Sequence, residues 1–165
     1  MEFLSGVKNN TKGGKEMFWD NSGYGKLEKL EKHTVTMVEN KLGIKLPTKY
    51  IELCEIQNGG NINFDAFPCQ PNSWAEDHVF IDFIYGISTD ESKGILESEY
   101  LIKEWALPED IVLISGDGHS WIALDYRDTK TQPSIIYIEK TPEDKNLIYK
   151  LTDNFEMFVQ GLYIS

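Results

Sequence analysis

Arginine is almost absent. Arg127 is the only one in a chain of 165 residues, against 27 aspartates and glutamates and a formal net charge of −11. A chain so short of the residue that grips phosphate bidentately, and so negative overall, repels a phosphate backbone; direct nucleic-acid binding is not expected. Cysteine is scarce as well. Cys54 and Cys69 cannot make a disulfide framework, and a reduced cytoplasmic setting is the simplest reading. No run of about 18 apolar residues exists, so no transmembrane helix is expected. The opening MEFLSGVKNNTKGGKEMFW has no basic segment leading into an apolar one, so it does not read as a secretory signal.

What is present is enough for one domain. Hydrophobic residues make up 41% and aromatics 12%, which supplies a core but leaves two independent domains cramped. The charge is unevenly spread. Residues 1–75 hold nine acidic and nine basic side chains, and residues 129–165 hold five and four. Residues 76–128 hold thirteen acidic and three basic ones, so nearly all the excess lies there. Such a surface would attract a basic protein and speed the encounter, although an acidic surface also serves plain solubility.

Residues 1–26 carry five glycines and the polar run Lys8–Lys15. They predict an extended or mobile lead-in, anchored by Phe18 and Trp19, to a domain over 27–165. Val35, Val38 and Leu42 form an apolar helical stripe, stopped by Gly43. Pro47 opens a second helix with Tyr50, Leu53, Cys54 and Gln57 on one face, ended by Asn58-Gly59-Gly60. Residues 61–78 read as a loop with Phe64, Phe67, Pro68, Pro71 and Trp74 as anchors. Val79–Ile87 reads as one buried strand. Ser88-Thr89-Asp90-Glu91 signals a helix start, and a helix is expected over Gly94–Trp105, with Ile95, Leu101, Ile102 and Trp105 in the core. Strands follow at Ile111–Ser115 and Trp121–Tyr126 around an Asp117-Gly118 turn, then at Ser134–Glu139 and Leu147–Leu151. Asp153 and Glu156 read as the capping pair of a last helix carrying Phe155, Phe158, Val159 and Leu162. The order predicts an α+β domain, a mixed, largely antiparallel sheet flanked by helices.

Catalytic signals are weak. Gly118-His119-Ser120-Trp121-Ile122 resembles a nucleophile elbow, but Ile122 replaces the last glycine and a strand follows where an elbow needs a helix. A hairpin turn is the simpler reading. Cys54, Cys69 and His78 lack zinc-box spacing, and His33 and His119 lie in different elements. Asp117, Asp125 and Asp128 flank the hairpin and read first as a solvated turn and edge. Gly23 and Gly25 follow no strand, so no phosphate loop is expected. No catalytic residue, metal or cofactor is expected.

One stretch carries a family pattern. Glu39, Leu42, Gly43, Leu46, Pro47, Tyr50, Asn58, Gly59 and Gly60, in a segment ending LGIKLPTKYIELCEIQNGG, resemble the first pattern of the SUKH superfamily. That group contains the eukaryotic cell-wall-assembly and glucan-synthesis regulator. LPEDIVLISGDGHSWIALDY resembles its second pattern and NFEMFVQGLY its closing helix; the match runs from about Leu30 to Tyr163. The resemblance implies a non-enzymatic α+β domain. In bacterial members this is an immunity protein that binds and blocks a toxin effector domain, often a nuclease or deaminase. Placed beside the charge, it points to a basic toxin partner. The residues expected to meet it are Trp74, Glu76, Asp77, Asp90, Glu91, Asp117 and Asp128. The alternatives are a regulatory scaffold like the eukaryotic members, and an enzyme built on Ser120, His119 and a carboxylate.

Overall fold

A computed structural model describes residues 18–165. The elements run α1 (Lys32–Leu42), α2 (Thr48–Ile56), β1 (Gly60–Asn61), β2 (Ala66–Pro68), β3 (His78–Phe80) and β4 (Phe83–Ile84). A 3-10 turn (Gly94–Glu97) leads into α3 (Ser98–Trp105), then β5 (Ile111–Gly116), β6 (Ser120–Asp125), β7 (Ser134–Lys140), β8 (Asn146–Thr152) and α4 (Phe155–Gly161). The fold is α+β. β5-β6-β7-β8 form an antiparallel meander, and β1 with β4 and β2 with β3 form two small antiparallel ribbons.

Alternation sets the layers. On one face of the meander Val112, Ile114, Ile122, Leu124, Ile135 and Tyr137 pack with Val35 and Val38 of α1, Tyr50 and Leu53 of α2, and Phe155 and Phe158 of α4. On the other, Leu113, Trp121, Ala123, Ile136 and Ile138 meet Leu101 and Ile102 of α3. Strands β5, β6 and β7 are thus covered on both sides and read as continuous apolar runs, while the edge strand β8 stays half-buried. Phe18 and Trp19 are 4% exposed, and the Trp19 indole donates to the Leu53 carbonyl at 2.9 Å. Of the expected lead-in over residues 1–26, residues 1–17 lie outside the described residues. Among those described, no helix is long and apolar enough to cross a membrane.

The family-pattern residues are the joints of this frame. Gly43 closes α1 in the left-handed region (φ 71°), where a side chain would be strained. The Glu39 carboxylate then accepts the Leu46 N–H at 2.8 Å, fixing the step from α1 to Pro47, the N-cap of α2. Leu42 is half-buried and Leu46 buried against the core. Tyr50 is fully buried, and its hydroxyl donates to the Tyr85 carbonyl at 2.5 Å. Asn58 joins three segments. Its Nδ2 donates to Glu28 O (2.7 Å) and Ile87 O (2.9 Å), and its Oδ1 accepts from Ile87 N (2.8 Å). At Gly59 (φ 89°) a β-carbon would lie 2.6 Å from the Gly86 nitrogen, so two backbones touch where no side chain fits. Gly60 opens β1.

Several expectations need correction. Val79–Ile87 is not one buried strand: β3 pairs with β2 and β4 with β1, and alternation along the segment buries Val79 and Ile81 while Phe80 and Asp82 face outward. Residues 61–78 are not all loop, since β1 and β2 fall there, and Pro68, Pro71 and Trp74 are exposed rather than anchoring. Ser88–Glu91 do not start a helix. Ser88 Oγ accepts from Asp90 N and the Asp90 carboxylate accepts from Ser92, a self-contained turn, and the 3-10 turn begins only at Gly94. Asn154, not Asp153, caps α4, accepting from Met157 N at 2.8 Å; Asp153 pairs instead with Lys150. Trp105 is 38% exposed, leaning on Trp121 from the sheet's outer layer.

Candidate functional site

The loop between β2 and β3 is built to hold one aromatic ring in solvent. Asn72 organises it: Oδ1 accepts from Trp74 N (2.9 Å) and Ala75 N (3.1 Å), and Nδ2 donates to Gln70 O (3.0 Å) and His78 O (3.1 Å). A buried carboxylate then ties it to the sheet. Glu139 of β7 accepts from Ser73 Oγ (2.7 Å), Ser73 N (3.2 Å), Tyr137 OH (3.1 Å) and Tyr149 OH (3.2 Å). Four neutral donors satisfy this charge without a cation.

Trp74, 60% exposed, rests edge-on against Phe80, with ring centroids 6.0 Å apart. A large ring held at low entropy cost and left in water is the usual form of a protein-binding anchor. Carboxylates surround the pair. Glu76 and Asp77 are exposed in the same loop, with Asp77 Oδ1 2.8 Å from the His78 Nδ1. Asp82 points outward two residues after Phe80. A small cleft of about 50 Å3 beside Phe80 is lined by Asp82, Asp117, Ser120 and Tyr137. Asp82 and Phe83 also line a larger groove of about 650 Å3, which reaches Tyr24, Tyr85 and Glu97.

Asp117 serves the hairpin turn. Its Oδ1 accepts from His119 N (2.9 Å) and Ser120 N (2.8 Å). Ser120 begins strand β6, so the glycine-histidine-serine segment is an Asx-type turn entering a strand, without the strand-to-helix geometry of a nucleophile elbow.

The remaining predicted residues sit apart from the Trp74–Phe80 pair. Hydrogen bonds from the Ser92 backbone and side chain hold the Asp90 carboxyl below the usual range. Glu91 forms an ion pair with Lys41 of α1, which raises that ammonium's pKa. Asp128 follows Arg127 beyond the far end of β6, where the guanidinium grips both oxygens of Asp125. The six residues of β6, roughly 17 Å of strand, separate it from Asp117. The structure therefore brings Trp74, Glu76 and Asp77 into one loop, and Asp117 onto the cleft that Phe80 lines. Among the described residues, no three His, Cys, Asp or Glu side chains are placed to hold a metal ion. Cys54 is buried in α2, and burial pushes its thiol up to about 12.

Sequence reasoning missed Phe80, Asp82 and Glu97. A signal for the first two was present: a carboxylate inside the apolar run VFIDFIYGI is costly to bury, and it marks the point where the run turns outward.

No protein of curated function matches the chain. The sequence profile of the SMI1 / KNR4 family (SUKH-1) matches residues 29–161, most of its length, and covers every joint residue described above. Membership supports an immunity or regulatory role exercised through protein–protein interaction, in keeping with an exposed aromatic pair among carboxylates. The protein belongs to the SMI1 / KNR4 (SUKH-1) family.

Proposed function

We propose that the protein is a non-enzymatic immunity protein, acting in the cytoplasm, that binds and neutralises the effector domain of a toxin. The face built on Trp74 and Phe80, with Glu76, Asp77, Asp82 and Asp117 around it, is the contact we assign. Asp90, Glu91 and Asp128 belong to the wider acidic field that draws the partner in. The observation that carries this reading is the exposed Trp74–Phe80 pair at the start of the chain's strongly acidic segment, in a member of a family of protein-interaction domains. A nuclease or deaminase is the expected toxin. Enzymes that act on nucleic acid present basic clefts, and an acidic face can occupy such a cleft in place of phosphates.

The test is capture of the product of the adjacent gene on the tagged protein, washed at rising salt and assayed for toxin activity. A basic toxin domain that is retained and silenced supports the proposal. Retention unchanged by charge reversal of Glu76, Asp77 and Asp117 removes the acidic face from it. If no neighbouring product is retained, the regulatory-scaffold reading, which family membership supports equally, takes its place.

A further inference from the structure

We propose that the groove between β4 and the 3-10 turn receives an arginine side chain of the protein partner, its guanidinium held by Asp82 and Glu97 beside the rings of Phe83 and Tyr85. This rests on the reading of the adjoining Trp74 face as a protein-binding one, and extends it by naming the chemistry the partner must present.

The carboxylates of this region divide into used and unused. Asp90 closes its own turn, Glu91 pairs with Lys41, Asp117 holds the hairpin, Asp125 holds Arg127, and Glu139 takes four donors. Among the described residues, neither the Asp82 nor the Glu97 side chain has a hydrogen bond or ion pair. Both line the 650 Å3 groove. Glu97 is also partly withdrawn from water, and that burial alone pushes its carboxyl up. A desolvated carboxylate without a donor is a liability unless something else supplies one. Asn61 lines the same groove, and its Oδ1 is buried without a hydrogen-bond partner. Lys93 is there too, its ammonium 4.0 Å from Asp90.

The walls select among cations. Phe83 and Tyr85 stand edge to face with centroids 5.7 Å apart, and the Tyr85 phenol, partly buried near Glu97 and Asp117, is kept protonated. Aromatic rings and carboxylates lining one groove suit a flat, weakly hydrated guanidinium with five donors, which can stack and bond at once. An ammonium group is compact, holds its water tightly and gains less from a flat wall. The groove continues into the cleft beside Phe80 through Asp82 and Phe83, so a partner seated on Trp74 can reach both.

The experiment titrates a blocked Gly-Arg-Gly peptide, and its Gly-Lys-Gly counterpart, into isotope-labelled full-length protein followed by amide NMR. The expected result is saturable shifts centred on Phe83, Tyr85, Gly86 and Gly94, with the lysine peptide several-fold weaker. Glu97→Gln weakens the arginine peptide about tenfold, as loss of one charge-assisted bond should, and Glu156→Gln on α4 leaves it unchanged. Should Glu97→Gln lose the folded spectrum, Asp82→Asn replaces it. Shifts scattered over the acidic surface, equal responses to both peptides, or indifference to Glu97→Gln and Asp82→Asn overturn the proposal. No toxin is needed, so arginine binding without capture of a toxin would leave the groove standing and remove the immunity reading. Toxin capture with no arginine response would do the reverse.

Discussion

Truncating Asn58 should damage the protein more than any exposed substitution. The Asn58→Ala variant removes two donations, to Glu28 O and Ile87 O, and one acceptance, from Ile87 N. Asn58 is 5% and Ile87 1% exposed, so the stranded Ile87 groups have little access to water, while the Glu28 carbonyl bond is partly buried. At about 1 kcal/mol net per buried hydrogen bond, the loss comes to about 3 kcal/mol, with a further small term for the missing side-chain volume. Against a typical total of 5–15 kcal/mol this is a large fraction. For a domain of this length it lowers Tm by roughly 6–12 °C. Urea titration should show a lower midpoint with an unchanged slope, because the surface exposed on unfolding stays the same. The Asn58 carbonyl keeps its bond from Leu27 N at 2.9 Å, so the chain path survives and the comparison remains between two folded proteins. A loss below about 1 kcal/mol would refute the reasoning, since it would mean that water replaces all three bonds or that the three segments are held together elsewhere.

Trp74→Ala should leave stability within about 0.5 kcal/mol, because the ring is mostly in solvent, yet weaken partner binding by about 2 kcal/mol or more; unchanged affinity by calorimetry would take Trp74 out of the contact. Glu139→Gln should cost about 1–3 kcal/mol, because an amide nitrogen cannot accept and, however it is oriented, two of the four donors lose their acceptor. Hydrogen exchange should then rise in the Trp74 loop, and unchanged protection there would show that Asn72 holds the loop alone. Cys54 gives a pH dependence. Its folded-state pKa of about 12 lies above the unfolded value, so its contribution is complete below about pH 8.5 and is lost as pH climbs towards 12. Between about pH 8.5 and 9.5, below the tyrosine range, wild type should lose about 1 kcal/mol more than Cys54→Ala by denaturant titration, and parallel curves would contradict the burial of the thiol.

The elements with strong local chemistry were legible. Gly43 and Asn58-Gly59-Gly60 end their helices, the Asp117-Gly118 turn joins β5 to β6, and the Phe155, Phe158, Val159 and Leu162 stripe is buried. The largest miss, the strand expected over Val79–Ile87, has a long-range cause: pairing decided by partners distant in the chain. Nothing near Val79 says that β3 must pair with β2 and β4 with β1, or that the ribbons leave one face open, on which alternation places Phe80 and Asp82. Asp153 and Asn154 are both good caps; Asn154 takes the position and accepts from Met157 N, while Asp153 pairs with Lys150. The candidate site was visible as charge but not as shape. Composition located the acidic segment, whereas the grouping of Trp74 with Phe80 and of Asp82 with Glu97 depends on how the ribbons fold over the end of β5.

This separation explains why the clearest pattern in the chain carries no chemistry. Glu39, Tyr50 and Asn58 spend their polar atoms on backbone groups of other segments, and Gly59 lies where a β-carbon would strike the backbone of Gly86. Substitutions at these joints strand buried donors or force backbones apart, so the sequence there is tightly constrained. Trp74, Glu76 and Asp77 bear no such load, because Asn72 and Glu139 hold their loop through its neighbours. The exposed face can therefore be rewritten for another partner while the frame stays fixed. Glu139 is where the two meet: a core strand residue whose carboxylate reaches the loop, so a change there should be felt both in stability and in binding.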